Sequence, residues 1–313
     1  MRSPVLFIVF NRPHHTRRVF QAIREARPPR LYVSADGPRP DRPDEQRLCE
    51  EVRTIATSVD WPCDVSIQFA QHNSGCKIGE VTAMDWFFRQ EEEGIILEDD
   101  TLPISGFFRF CEELLRVYRH DERVFSISGT NYVARDFPLS HSYLFSRYAD
   151  YWGWAGWRRS WNSYDVTMKE WPTWRDSQSM GKLSEGDALF ERYWRGIFDD
   201  THAGFIDTWD YQRLFTMWQH DGLSILPRNN MVANLGFGAE ATHTKRPAPA
   251  WLSEATITEP HFPLVHPMEV KTLPGFDRHF GRKLFGISRA GITKRFVTRN
   301  AVAQHMRHWL TTS

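Results

Sequence analysis

Apolar runs and amphipathic segments alternate through the first part of the chain. Residues 5–10 are an unbroken apolar run that stops at Asn11-Arg12-Pro13, and the next segment places Val19 and Ile23 on one helical face. The same alternation predicts strands at residues 31–35, 65–69 and 94–97, and helices at residues 44–57 and 77–90. Strands about thirty residues apart with helices between them indicate βαβ units, so the predicted fold is α/β with a mostly parallel sheet.

The pattern loosens after residue 100. It predicts helices at residues 107–119 and 210–220, strands at 124–128 and 223–226, and an ordered loop rich in Asn and Gly at 229–244. Prolines spaced from Pro247 to Pro274 predict a linker. We therefore expect one main domain over residues 1–245 and a linker with a C-terminal extension over residues 246–313.

Composition narrows the class of protein. The chain has 313 residues, of which 41% are hydrophobic and 25% charged, as in ordinary globular domains. No apolar run approaches the roughly 18 residues of a membrane-spanning helix, and the run at 5–10 is too short for a signal peptide. The four cysteines form no CxxC pair and have no metal-ligand spacing, which argues against zinc and predicts a reducing, cytoplasmic location.

Charge is balanced overall but uneven along the chain. Lys and Arg together number 39, as do Asp and Glu, so the composition does not indicate a nucleic-acid-binding protein. From Lys271 to the C terminus, however, there are nine basic residues and one acid, Asp277. Two interpretations stay open: peripheral contact with the inner face of a membrane, or an amphipathic helix packed on the acidic body.

Tryptophan is concentrated in one region. Nine of the thirteen tryptophans lie between Trp152 and Trp218. Indoles bury a large apolar area, so the cluster predicts an aromatic core. The same rings could instead form a wall on which sugars stack, because the faces of pyranose rings are apolar.

Polar side chains follow three of the predicted parallel strands, where open α/β sheets bind their ligands. Asn11-Arg12, Asp36 and Glu98-Asp99-Asp100 stand at these strand ends. No GxGxxG or GxxxxGK[ST] loop is present, so a bound nucleotide would need another source of positive charge. Three consecutive carboxylates predict a site for Mg²⁺ or Mn²⁺, which would bridge to phosphate oxygens, although acidic triplets elsewhere are solvated turns.

These strand ends carry a family resemblance. The run from Gly94 through Glu98-Asp99-Asp100 to Phe108, followed by Val124-Phe-Ser-Ile-Ser-Gly, resembles the nucleotide-sugar site of GT-A glycosyltransferases. It is most similar to the N-acetylglucosaminyltransferase I-like branch, and the likeness spans about residues 4–244. It implies a GT-A, Rossmann-like sheet flanked by helices, with a donor half at about 1–130, an acceptor and catalytic half at about 131–245, and a helical C-terminal extension.

The resemblance also assigns roles to individual residues. Asp36 would hydrogen-bond the base, and Asn11 and Arg12 would lie beside the nucleoside. Lys77 would face the donor, or be a solvated lysine at the start of a helix. Glu98 would face the sugar, Asp99 the ribose and metal-bound water, and Asp100 would ligate the metal. In Thr208-Trp209-Asp210, Asp210 would be the catalytic base, although an Asp at a helix start is also a common cap. Trp209 would shield the site from water. His243, in the loop that would close over the diphosphate, would bind the metal or a phosphate oxygen, or be structural.

The resulting hypothesis is a metal-dependent inverting glycosyltransferase. It would move a sugar from a nucleotide-diphosphate sugar, expected to be a UDP-sugar, to a hydroxyl of a surface polysaccharide or lipid-linked saccharide. Unlike Golgi enzymes of this type, the sequence shows no N-terminal anchor or disulfide set, which predicts a bacterial-style cytoplasmic enzyme. A sugar-phosphate nucleotidyltransferase is one alternative, but it would need a Gly-rich basic loop after the first strand. A non-catalytic glycan-binding protein is the other.

Overall fold

The computed structural model describes residues 1–237 and 249–293. Its centre is an eight-stranded sheet in the order β3-β2-β1-β4-β8-β6-β9-β7, with a separate antiparallel pair, β5 and β10. The strands are β1 (Val5–Val9), β2 (Arg30–Ala35), β3 (Asp64–Phe69), β4 (Glu93–Glu98), β5 (Thr101–Pro103), β6 (Val124–Ser128), β7 (Tyr143–Ser146), β8 (Trp154–Trp157), β9 (Leu223–Pro227) and β10 (Val232–Asn234).

Helices flank both faces of the sheet and form a separate layer beside its second half. They are α1 (Pro13–Ala26), α2 (Glu45–Ala56), α3 (Cys76–Gln90), α4 (Ser105–Val117), α5 (Arg158–Trp161), α6 (Trp171–Asp176), α7 (Ser179–Ser184), α8 (Ala188–His202), α9 (Asp210–Gln219), α10 (Ala250–Ser253) and α11 (Phe276–Phe285). The predicted α/β class, with a mostly parallel sheet flanked by helices, is confirmed.

Strand pairing brings the predicted strand ends together. β1 lies between β2 and β4 and is parallel to both, with Val9 opposite Ala35 and Ile8 opposite Glu98. The carboxyl ends of β2, β1 and β4 therefore meet at one edge. Residues 5–9 are buried because a central parallel strand is covered on both faces.

The second half of the sheet departs from a simple parallel order. β8 runs antiparallel between β4 and β6, and β7 runs antiparallel at the sheet edge beside β9. The segment at 229–244, predicted as a loop, contains β10, which pairs with β5. Three residues give too little periodicity to predict such a strand, and only this pairing reveals it.

Tryptophans mostly form the core, as the first of the two interpretations predicted. Trp171, Trp194 and Trp218 are buried in a cluster between α6, α8, α9 and the sheet. A second group, Trp154, Trp161 and Trp209, packs with α3 against the sheet face. Trp152 is an exception, because it is only partly buried and lines a cavity.

The C-terminal segment packs on the body of the protein. Leu264, in the stretch predicted as a linker, is buried in the main core, and Phe276 and Phe280 of α11 are buried in the aromatic cluster. The described part of the basic tail therefore uses its apolar side chains internally, which favours the packed-helix interpretation over membrane contact. No helix in the described ranges is long and apolar enough to span a membrane. The division into domain and extension stays a prediction.

Candidate functional site

A cavity of about 850 Å³ opens at the edge where β1, β2 and β4 end. It continues between the start of α3, the start of α9 and the C-terminal segment. The predicted site residues that line it are Arg12, Asp36, Glu98, Asp99, Asp100, Trp209 and Asp210. Residues chosen from two distant parts of the sequence thus share one cavity.

Arg12 bridges two of the strand-end carboxylates. One guanidinium nitrogen donates a 2.8 Å hydrogen bond to Asp100, and the other pairs with Asp99. Burial alone would lower the pKa of the Arg12 guanidinium, but the two carboxylates outweigh it and raise that pKa above its usual value. Arg12 therefore stays positive and places one fixed positive charge among the acids.

Carboxyl groups nevertheless outnumber basic side chains at this end of the cavity. Glu80, on the first turns of α3, lines the cavity beside Glu98, and neither carboxylate has an ion-pair partner within the described ranges. Burial, and then the neighbouring carboxylates, raise the pKa of both groups. Burial also raises the pKa of Asp99, against the opposing effect of Arg12. Sequence reasoning missed Glu80 because an acid within an amphipathic helix resembles a solvated side chain.

A metal ion is what the family resemblance implies for this cluster. Among the residues that the structure describes, no three His, Cys, Asp or Glu side chains form a ready-made metal site. The chemistry of the donor set still fits a hard divalent cation, because every candidate ligand is a carboxylate and Oε2 of Glu80 is buried without a hydrogen-bond partner. His243 lies outside the described residues. Its role, like that of Asp100 as a metal ligand, stays a prediction.

Asp36 organises the loop that leads into α3. Its carboxylate accepts hydrogen bonds from the amide nitrogen of Asn73 (2.8 Å) and from the backbone N–H groups of Gly37, Ser74 and Gly75, at 2.8 to 3.2 Å. Gly75 has a φ of +79°, a conformation that favours glycine. Asp36 therefore fixes this wall of the cavity. A contact between its carboxylate and a base stays a prediction.

Asn11 and Lys77 do not line the cavity themselves. The side-chain amide of Asn11 donates a 2.7 Å hydrogen bond to Glu45 on α2. The Lys77 ammonium lies 3.5 Å from the carboxylate of Asp207. Asp207 does line the cavity, so the Lys77 ammonium contacts its lining, and the donor contacts predicted for Asn11 and Lys77 stay predictions.

Asp210, the first residue of α9, lines the part of the cavity that the second half of the chain supplies, which is called the opposite wall below. The preceding Trp209 is the N-cap residue and makes no side-chain cap bond, whereas the Asp210 carboxylate accepts from the Tyr211 N–H (2.8 Å) and from the Thr208 hydroxyl. It thus supports the first helical turn while facing the cavity. Burial raises the pKa of Asp210 above its ordinary value.

Cys76 and Asp150 are two more titratable residues that line the cavity. Burial, and then the charges of Glu80, Glu98 and Asp210, raise the pKa of the Cys76 thiol, so both acidic walls act on this one side chain. Asp150, which sequence reasoning missed, lies in the loop before β8. It accepts a 2.9 Å bond from the Trp152 N–H, and burial raises its pKa to about 6. The second half of the chain therefore contributes three carboxylates to the lining, those of Asp150, Asp207 and Asp210, rather than one.

Leu235 and Gly236 begin the loop that was predicted to close over the diphosphate, and both contact Asp100, the candidate metal ligand. The Leu235 N–H donates a 2.7 Å hydrogen bond to the carbonyl of Asp100. A Cβ at Gly236 would stand 2.2 Å from the Asp100 carboxylate, so the backbone approaches it as only glycine allows. This part of the loop is next to the acidic cluster. The remainder, residues 238–248, lies outside the described residues.

Comparisons with known proteins give distant structural likeness alone. No protein-family model matches the sequence, and no curated protein matches it significantly. The chain is similar to the apo form of mouse xyloside xylosyltransferase 1, with 11% identity over 72% of this chain and 85% of the other, at a TM-score of 0.37. It is also similar to UDP-glucose pyrophosphorylase, apo and complexed with UDP-glucose, with 12% and 11% identity over 46% of this chain and 63% and 62% of the others, at TM-scores of 0.26 and 0.25. Likeness at these TM-scores carries no argument about activity, so the function is argued from the site alone.

Proposed function

We propose that the protein transfers a sugar from a nucleotide-diphosphate sugar, with UDP as the expected nucleotide, to an acceptor hydroxyl with inversion at the anomeric carbon. The observation that carries this proposal is the two-walled cavity. An acidic cluster with a bridging arginine stands at the strand ends, and Asp210 faces the same space from the start of α9. An inverting transfer needs a site for the leaving group and a base that act on opposite faces of the sugar, and these two parts of the lining would supply one each.

The strand-end wall is suited to the diphosphate. Arg12 supplies one positive charge beside Asp99 and Asp100. A divalent cation, held by Asp100 and by phosphate oxygens, would neutralise the charge that develops on the leaving diphosphate. Burial and the neighbouring carboxylates raise the pKa of Glu80 and Glu98, so both would hold protons without a cation and would release them to become negative groups when such a cation binds.

The opposite wall is suited to proton transfer. An alcohol is a weak nucleophile at neutral pH unless a base takes its proton as the new bond forms. Asp210 would be that base, and burial brings its pKa closer to neutrality, where a base works best. Trp209, which is buried beside it and lines the cavity, would limit the access of water.

The alternatives account for fewer of these features. A nucleotidyltransferase of the type considered needs a Gly-rich basic loop after β1, but α1 begins at Pro13, directly after Arg12, and Arg12 is bound to carboxylates. A glycan-binding protein needs neither the acidic cluster nor Asp210 in the same cavity.

Thermal shift and calorimetry with UDP, GDP and UDP-sugars, each with and without Mn²⁺, test the proposal. A ligand at 100 times its dissociation constant adds about 2.7 kcal/mol to the free energy of unfolding, which a melting curve resolves easily. We expect stabilisation by a nucleoside diphosphate that increases with Mn²⁺. A protein that binds none of these nucleotides in either condition would contradict the proposal.

A further inference from the structure

Trp251, on the short helix α10, separates two cavities. Its indole lines the large cavity described above and also a second cavity of about 230 Å³. Among the described residues, Trp251 is the one that lines both cavities, and the second cavity also includes Tyr132, whose ring centroid is 4.9 Å from that of Trp251. A ligand that extends past Trp251 would pass from one cavity into the other.

Trp152 and Trp251 form an aromatic platform at this boundary. Their rings are nearly parallel, with centroids 6.3 Å apart and an interplanar angle of 18°. Both indoles are partly exposed, whereas Trp154, Trp209 and most other tryptophans of the chain are buried in its cores. Exposed, fixed aromatic faces suit a flat apolar surface such as one face of a sugar ring.

The second cavity carries an excess of positive charge. Arg135 and Arg228 line it, and neither has an ion-pair partner within residues 1–237 and 249–293. The third cation, Lys283, is 2.7 Å from Asp136 and is neutralised by it. Glu254 is the remaining acid in the lining, so two uncompensated guanidinium groups face one carboxylate. Guanidinium groups bind carboxylates and phosphates through paired hydrogen bonds.

We propose that the acceptor is an acidic glycan. One sugar ring packs against Trp152 and Trp251 and presents its hydroxyl toward Asp210, and an anionic group on the adjoining unit enters the second cavity beside Arg135 and Arg228. The anionic group is a carboxylate or a phosphate, since both match guanidinium. This inference rests on the proposed transferase function for the direction of the hydroxyl, but the binding of an acidic glycan is measurable without transfer.

A printed panel of oligosaccharides in three matched forms tests the inference: neutral, uronate-bearing and phosphate-bearing. Full-length protein is applied with UDP and Mn²⁺, and the variants are the pair Arg135→Ala and Arg228→Ala together, Trp251→Ala and Trp251→Phe. Wild-type protein should bind at least one acidic form at least about tenfold more tightly than its neutral counterpart, since hydrogen bonds to charged groups are strong. The double arginine variant should lose the preference for acidic forms. Trp251→Ala should weaken the binding of all three forms of the oligosaccharide, and Trp251→Phe should retain most of the wild-type affinity.

The matched control is the pair Arg116→Ala and Arg192→Ala, which removes two exposed arginines that line none of these cavities. It should bind like wild type. Equal binding of neutral and acidic forms, no binding in any form, or equal behaviour of the two double variants would overturn the inference. Calorimetry with UDP on the same samples separates the two proposals: absence of nucleotide binding counts against the transferase function, whereas the panel alone decides the acidic subsite.

Discussion

The two walls of the large cavity are built in different ways. The strand-end wall comes mostly from the first hundred residues, where β1, β2 and β4 end side by side and deliver Arg12, Asp36 and the carboxylates. The opposite wall is assembled from separate segments around residues 150, 210, 236, 251 and 280 and is rich in aromatic rings. One wall is placed by strand pairing, and the other by packing between distant segments.

In the proposed function, this difference separates two chemical tasks. A diphosphate needs charges at fixed positions, and parallel strand ends supply them through the register of the backbone. Acceptors vary in shape, and a wall made of packed side chains can change without disturbing the sheet. Variants that impair donor binding but not transfer to the acceptor, or the reverse, therefore test whether the two walls have separate roles.

Asp100→Ala should have the largest effect. It removes the predicted anchor of a hard cation, so we expect Mn²⁺-dependent binding of nucleoside diphosphate to be lost. Metal-independent binding should persist or increase, because Arg12 loses one of its two carboxylate partners and becomes available to phosphate. Isothermal titration with UDP, with and without Mn²⁺, measures both quantities.

Glu122→Ala, at an exposed position outside the cavity, is the control for Asp100→Ala and should bind UDP normally. Unchanged affinity and metal dependence in Asp100→Ala would show that the acidic triplet is a solvated turn.

Asp210→Asn should lower the rate of transfer by roughly 100-fold or more, the usual contribution of a positioned base, while donor affinity stays close to that of wild type. Asparagine keeps the shape of the side chain and can still accept the Tyr211 N–H bond, so the melting temperature should change little. Nucleotide release in the presence of acceptor measures the rate.

Asp221→Asn is the matched control, since Asp221 is exposed just beyond the other end of α9 and has a φ of +50°, which asparagine adopts readily. If Asp210→Asn turned over as fast as this control, Asp210 would be a helix-start residue and Asp150 would become the candidate base.

Gly236→Ala should reduce donor affinity by about tenfold, which corresponds to about 1.4 kcal/mol, because a displaced Asp100 carboxylate would hold the cation and its phosphates less well. The added Cβ would meet the Asp100 carboxylate at 2.2 Å, so either the loop or the carboxylate must move. Calorimetry with UDP and Mn²⁺ measures the loss. Normal affinity would show that the loop adjusts without disturbing Asp100.

Gly196→Ala should have the smallest effect and the opposite sign. Gly196 lies within α8, and a Cβ there would meet nothing within 4 Å. Replacing a helical glycine by alanine should therefore raise the free energy of unfolding by about 0.5–1 kcal/mol. Denaturant unfolding measures this gain, and UDP binding and transfer should both match wild type. A loss of stability would mean that α8 packs more tightly than its open surroundings indicate.

The sequence predicted the strand-end wall well and the opposite wall in part. Strands at 31–35, 65–69 and 94–97 and the helices between them match β2, β3, β4, α2 and α3 within one residue. Local periodicity sufficed there, because each element follows its neighbour in both sequence and space. Open α/β sheets bind ligands at the carboxyl ends of their strands, and this tendency then pointed to Arg12, Asp36 and the acidic triplet without any tertiary information.

Other site residues depend on contacts that no local pattern encodes. Glu80 becomes part of the site only because α3 packs beside β1. Trp251 stands among prolines that predicted a linker, and its stacking on Trp152 depends on the return of the chain to the sheet. The antiparallel insertion of β8 between β4 and β6 was equally invisible, since a four-residue strand shows no orientation in its sequence.

Helix α11 also gives the chain an order of assembly. Phe280 stacks on Tyr148 with ring centroids 4.9 Å apart, and Phe276 fills the same aromatic cluster. Synthesis proceeds from the N terminus, so β1 to β4 leave the ribosome long before this helix does. The tryptophan-rich layer therefore keeps an exposed apolar face until α11 has emerged, and during that interval a nascent chain of this protein most needs the protection of chaperones.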